Sequence, residues 1–117
     1  MTLGNHQEAF MQDVANILAY LHDNGYTVRG GDLQRSKEQQ KIYFNQGKSK
    51  TLKSNHLLKC AVDLHIFRNG RLLQDKHDLQ AIGDYWEALN NLNRWGGNFK
   101  TFLDVPHFER NIQPYFL

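Results

Sequence analysis

The sequence predicts an α+β fold: about three helices and a small antiparallel sheet in a single domain over residues 1–117. Three observations predict it. Apolar side chains recur at helical spacing in separate stretches near the start and beyond the middle of the chain. Asn69-Gly70, the strongest hairpin signal present, stands between two short β-like runs. Helices and strands also mix without the regular strand–helix–strand alternation of a parallel sheet. A chain of 117 residues is the size of one domain and can bury enough surface to fold without disulfides or a structural metal.

Residues 6–23 carry Phe10, Val14, Ile17, Leu18 and Leu21, steps of 4, 3, 1 and 3 that define the apolar stripe of a first helix. Asn24-Gly25 ends it, because glycine tolerates the left-handed cap. Tyr26 to Arg29 reads as a short strand broken by Gly30-Gly31. A second helix begins near Ser36, a good N-cap, and runs through Ile42 and Tyr43 to Gln46-Gly47. The polar, basic stretch from Gly47 to Asn55 has no periodicity and reads as a surface loop. Ala61 to Phe67 is a buried strand that turns at Arg68-Asn69-Gly70 and returns through Leu72-Leu73. A third helix covers about Asp78 to Leu92, with Leu79, Ile82, Trp86 and Leu89 on one face. Trp95-Gly96-Gly97 closes it, and Phe102 to Phe108 forms the last extended segment.

Composition excludes several classes of protein. Fourteen Lys and Arg against twelve Asp and Glu give a net charge of +2, with no basic stripe, so no nucleic-acid partner is expected. No apolar run approaches the roughly 18 residues of a membrane span, so no membrane insertion is expected. The single Cys60 rules out an internal disulfide and a cysteine-based zinc finger. The first residues lack the basic and apolar regions of a secretory signal.

His56, Asp63 and His107 stand out by residue type. Two imidazoles and a carboxylate suit Zn2+, and three protein ligands leave a fourth position open, as in catalytic rather than structural zinc sites. Spacing alone favours the bland reading, because six histidines and twelve acids make such triples common by chance.

The surrounding residues change that weighting. Ser54-Asn55-His56-Leu57-Leu58-Lys59-Cys60-Ala61-Val62-Asp63 resembles the Ser-x-His-x-x-Gly-x-Ala-x-Asp motif of the D-alanyl-D-alanine carboxypeptidase family. That family also contains the phage L-alanyl-D-glutamate endolysins. The stretch Trp95-Gly96-Gly97 to Asp104-Val105-Pro106-His107-Phe108-Glu109 is similar to its closing motif. Arg35-Ser36, Gln39-Gln40, Tyr43 and Gly47-Lys48 resemble its upstream segment. The three blocks follow the family order from about residue 26 to residue 109.

The resemblance implies zinc ligation by His56, Asp63 and His107, with Asp104 as general base and acid. It implies that Arg35 polarises the scissile carbonyl. From the residues alone, Arg35 reads as a solvated charge near a helix start and Asp104 as a turn former. In a regular strand Asp104 and His107 would face opposite sides, so a turn or bulge at Val105-Pro106 is expected.

Other residues have plainer expected roles. Ser54 supports its loop through a local hydrogen bond. Glu109 either orients His107 through the free ring nitrogen or forms a surface salt bridge. Trp86 and Trp95 are core, Cys60 is a small buried thiol, and His6, His22 and His77 face solvent. His65 shares a strand face with Asp63, as a substitute ligand or a supporting group. Lys59 departs from the family glycine. If that position is left-handed, lysine there costs about 1 kcal/mol or more.

By resemblance the protein is a zinc peptidase that hydrolyses the peptidoglycan stem peptide, most simply at the L-Ala–D-Glu bond. A D,D-carboxypeptidase releasing terminal D-Ala, and a non-catalytic wall-binding or virion module, are the alternatives. A short monomer without a signal would await access to the wall in the cytoplasm of an infected bacterial host.

Overall fold

The computed structural model describes residues 1–34, 36–49 and 54–113. The α+β expectation is met: among the described residues, three α-helices pack with a small antiparallel sheet. Helix α1 (Leu3–Asp23) begins at Thr2, whose hydroxyl accepts from the Asn5 N–H while the Asn5 side chain accepts from the Thr2 N–H. This reciprocal cap satisfies two end-group donors. The helix stops at Asn24-Gly25, with Gly25 at φ +84°. Strand β1 (Thr27–Gly30) follows, and then helix α2 (Lys37–Asn45), capped by Ser36 as the sequence implied.

Strand β2 (Ala61–Arg68) is the longest, and Asn69-Gly70 turns it into β3 (Arg71–Leu72). Helix α3 (Lys76–Leu89) is capped by Asp75. Strands β4 (Asn93–Trp95) and β5 (His107–Arg110) complete the sheet, in the order β1-β2-β5-β4 with β3 beside β2.

Phe10, Val14, Ile17 and Leu21 of α1, Leu79, Ile82 and Trp86 of α3, and Val62, Leu64 and Ile66 of β2 form one apolar core. Side chains alternate across a strand, so Asp63 and His65 of β2 fall on the face away from this core. Phe108 points into it, while His107 and Glu109 on either side share the opposite face.

Four expectations are corrected. Leu18 lies outside the stripe and is exposed. The third helix stops at Leu89, because Asn90 has extended backbone and its side chain accepts from the Leu92 N–H. Trp95-Gly96-Gly97 does not close that helix: Trp95 ends strand β4, and Gly96–Asn98 is a 3-10 turn. Residues 102–106 do not form a strand, with a bend at 102 and a turn at 105–106, and only from His107 does the chain pair as a strand.

The polar loop before β2 is also more structured at its end. Asn55–Leu58 is a short 3-10 turn in which Asn55 is buried and holds Ile112 N–H and Asn111. Residues 50–53 of that stretch lie outside the described residues.

Candidate metal centre

Antiparallel register sets Asp63 of β2 directly opposite His107 of β5, on the face away from the core. His56 comes from the 3-10 turn just before β2. Ser54 caps that turn, its hydroxyl accepting from the His56 N–H at 3.2 Å, as expected for a residue that supports the loop. Lys59 closes the turn in the left-handed region, at φ 57° and ψ 35°, so the family glycine position is indeed left-handed here.

The three candidate ligand atoms lie within 4.8 Å of one another. His56 Nδ1 is 3.1 Å from the Leu33 carbonyl, which can only accept, so Nδ1 carries the proton and donates. Its Nε2 is then a bare lone pair, 3.4 Å from Asp63 Oδ1. That atom is fully buried and has no hydrogen-bond partner. His107 Nε2 lies 2.7 Å from Glu109 Oε1, so in the neutral ring Nε2–H donates and Nδ1 faces Asp63 Oδ1 at 3.7 Å. With both rings neutral, as metal ligation requires, the two bare nitrogens converge on one carboxylate oxygen.

A buried lone pair without a donor is costly unless something occupies the gap, and two nitrogens with one oxygen match zinc. The residues therefore fit a zinc ion held by His56, Asp63 and His107. The second-sphere pattern is also that of a metal site, with each imidazole fixed through its other nitrogen.

Charge follows the same geometry. Burial opposes ionisation of Asp63, but the His107 and His56 imidazoles outweigh it and hold the carboxyl well below its ordinary range. Burial would lower His107, yet Asp63 and Glu109 raise it to about 9 in the metal-free protein. Burial likewise opposes the Glu109 charge, and His107 and Arg94 bring its carboxyl down. Glu109 is almost fully buried, so it both orients His107 and forms a salt bridge, to Arg94 at 2.7 Å.

Asp104 lines the same cavity of about 710 Å³ as His56, Asp63 and His107. The expected turn is present: the His107 N–H donates to the Asp104 carbonyl at 3.0 Å, and residues 105 and 106 turn between them. The Asp104 N–H donates to the Gly96 carbonyl at 3.0 Å. A Cβ on Gly96 would collide with the Asp104 carbonyl oxygen, and one on Gly97 with the Trp95 ring. These glycines serve close approach rather than special backbone angles. Arg35 lies outside the described residues.

Other side chains fall mostly as expected. Trp86 and Trp95 are wholly buried, and each indole N–H is satisfied by a backbone carbonyl. Cys60 is buried, and burial pushes its thiol up to about 11. It is not in the ligand group, and neither is the exposed His65. His22 and His77 are exposed, but His6 is not: it is buried, its Nδ1 accepting from Arg110 Nε at 3.0 Å. Nothing in the sequence pointed to Leu33, whose backbone carbonyl fixes His56, or to Arg94, which braces Glu109.

Comparison with known proteins identifies the family. The family described as D-alanyl-D-alanine carboxypeptidase matches residues 47–110, more than half of the chain, and the chain belongs to that family. The L-alanyl-D-glutamate peptidase of Listeria phage A118 is 28% identical over 100 residues, covering 85% of this chain and 36% of that protein. The chain thus spans about a third of that relative's length. The crystal structure of the L-Ala D-Glu endopeptidase ChiX of Serratia marcescens has a TM-score of 0.73 at 24% identity, covering 91% of this chain and 80% of that one. At that identity the likeness speaks for the fold.

Proposed function

We propose that this protein is a zinc-dependent peptidoglycan peptidase that hydrolyses the stem peptide at the L-Ala–D-Glu bond. The observation that carries the reading is the convergence of His56 Nε2, His107 Nδ1 and Asp63 Oδ1 in a cleft, with both imidazole tautomers fixed from behind. Zinc, when bound, supplies Lewis acidity and lowers the pKa of water from 15.7 to roughly 7.

The chain's own residues account for the rest. Asp104, brought into the cleft by the turn at residues 105–106, takes a proton from the attacking water and returns it to the leaving amine. Asp104 lines the same cavity as the triad, and its charge acts on His107. Arg35 is assigned to the developing oxyanion by its family motif, where one donor is worth about 3 kcal/mol.

The names of the phage relative and of the Serratia structure favour the endopeptidase over the D,D-carboxypeptidase. Host lysis during phage release, from the cytoplasm of the infected cell, is the corresponding biological role.

Mass spectrometry of purified peptidoglycan incubated with the zinc-loaded protein tests the reading. A new free amine on D-glutamate establishes the endopeptidase. Released D-alanine moves the activity to the carboxypeptidase. No product, with zinc bound and the fold intact, overturns both in favour of a wall-binding module.

A further inference from the structure

Arg94 lies on β4 at the edge of the sheet, in register opposite Glu109. Its side chain is 50% exposed and lines the metal cavity. Arg94 Nε and a terminal nitrogen meet Glu109 Oε2 at 2.8 and 2.7 Å. The guanidinium carbon stands 5.2 Å from the centre of the Phe99 ring. The other edge of the planar fork has no partner among the described residues.

We propose that Arg94 is a specificity-determining residue that reads a carboxylate of the stem peptide close to the bond cleaved. The proposal rests on the peptidase reading and deepens it. Three observations support it.

The first is preorganisation. A free arginine loses rotamer entropy when it grips a ligand, but Glu109 and Phe99 already hold this one in place. Lys48, over the Tyr43 ring at 5.9 Å, also lines the cavity, but it presents a single ammonium on a flexible stem rather than a fork matched to a carboxylate.

The second is distance. Arg94 lies one strand over from β5 and opposite the residue two beyond His107. Two residues along a strand and one strand across separate the His107 and Arg94 backbones by about 8 Å, the reach of two to three residues of extended peptide.

The third is substrate chemistry. D-Glutamate in the stem is linked through its side-chain carboxyl. A free carboxylate therefore remains on the carbon that bears the scissile nitrogen, and a diaminopimelate in third position adds another. Both offer the same anionic fork, and the experiment separates them.

The test uses the zinc-loaded protein, as wild type, Arg94→Gln and Arg94→Lys. Three peptides are compared: L-Ala-γ-D-Glu-diaminopimelate, its analogue with the D-Glu carboxylate amidated, and its analogue with lysine in third position. KM and kcat are measured with zinc content, and the already cleaved products are titrated by calorimetry. In wild type, one of the two analogues is expected to have a KM about tenfold or more above the parent, which identifies the carboxylate read. Arg94→Gln is expected to raise KM on the parent by a similar factor and to erase that discrimination, with Arg94→Lys intermediate.

Equal KM for all three peptides in wild type overturns the proposal. So does an Arg94→Gln variant that keeps the wild-type ratio while losing kcat or zinc, because Arg94 would then only support Glu109. If wild type cleaves nothing, the peptidase reading fails. The product titration still decides on Arg94: loss of the discrimination in Arg94→Gln supports the proposal, and an unchanged ratio overturns it.

Discussion

Glu109 Oε1 stands 2.7 Å from His107 Nε2, with both groups buried. An imidazole has one bare nitrogen when neutral, so this contact decides which nitrogen is available to a metal. Removing the charge at Glu109 loosens the ring's orientation and lowers its basicity as a ligand. Glu109→Gln keeps the shape of the side chain and is expected to weaken zinc binding by about 10- to 100-fold. Competition against a chelator of known affinity measures it, and unchanged affinity would show that His107 needs no such support.

Asp104 shares the cavity with the triad but is not in the ligand group. Asp104→Asn should therefore leave zinc content unchanged and lower kcat by about 10²- to 10⁴-fold, the usual contribution of a positioned proton-transfer group. Loss of zinc in this variant would instead make Asp104 part of the metal's support. His56→Ala and His107→Ala should lose zinc outright.

Gly96 holds the Asp104 turn by having no side chain. Because a Cβ there meets a backbone carbonyl and the His107 Cβ, neither of which can swing aside, Gly96→Ala must move the turn. Activity is expected to fall at least tenfold, since small misplacements of catalytic groups are costly. Wild-type kinetics in Gly96→Ala would mean that the turn does not position Asp104.

The triad and Asp104 were legible only through the resemblance to family motifs, whereas the need for a turn before His107 follows from side-chain alternation, a local property. The hidden parts depend on contacts far apart in the chain. The tautomer of His56 is set by the carbonyl of Leu33, 23 residues away. The burial of His6 depends on Arg110, 104 residues away. Strand β4 was missed because its three residues pair only once β5 is in place, and a run that short has no period of its own.

Lys59 sits at φ 57°, where an L side chain crowds the following carbonyl at about 1–2 kcal/mol. Glycine removes that cost but gains freedom in the unfolded chain, worth about 0.4–1 kcal/mol against it. Lys59→Gly should therefore raise stability by roughly 0.5–1 kcal/mol, a few degrees in Tm, with zinc affinity unchanged. Calorimetric melting decides it, and a fall in Tm would show that the lysine side chain contributes more than its backbone strain costs.

His6 joins the start of α1 to β5 through Arg110, and burial followed by the Arg110 charge lowers its pKa below the ordinary 6.5. The unfolded chain therefore takes up a proton near pH 6.5 that the folded protein resists. Below that pH the unfolded state binds more protons, so stability falls as the pH drops through this window and is fully present above it. Other groups also titrate in acid, so the comparison is with His6→Gln, which cannot be protonated. Melting zinc-loaded wild type and His6→Gln at pH 7.5 and 5.5 should show a larger loss of Tm in wild type. Equal losses would mean that the His6–Arg110 contact tolerates the proton.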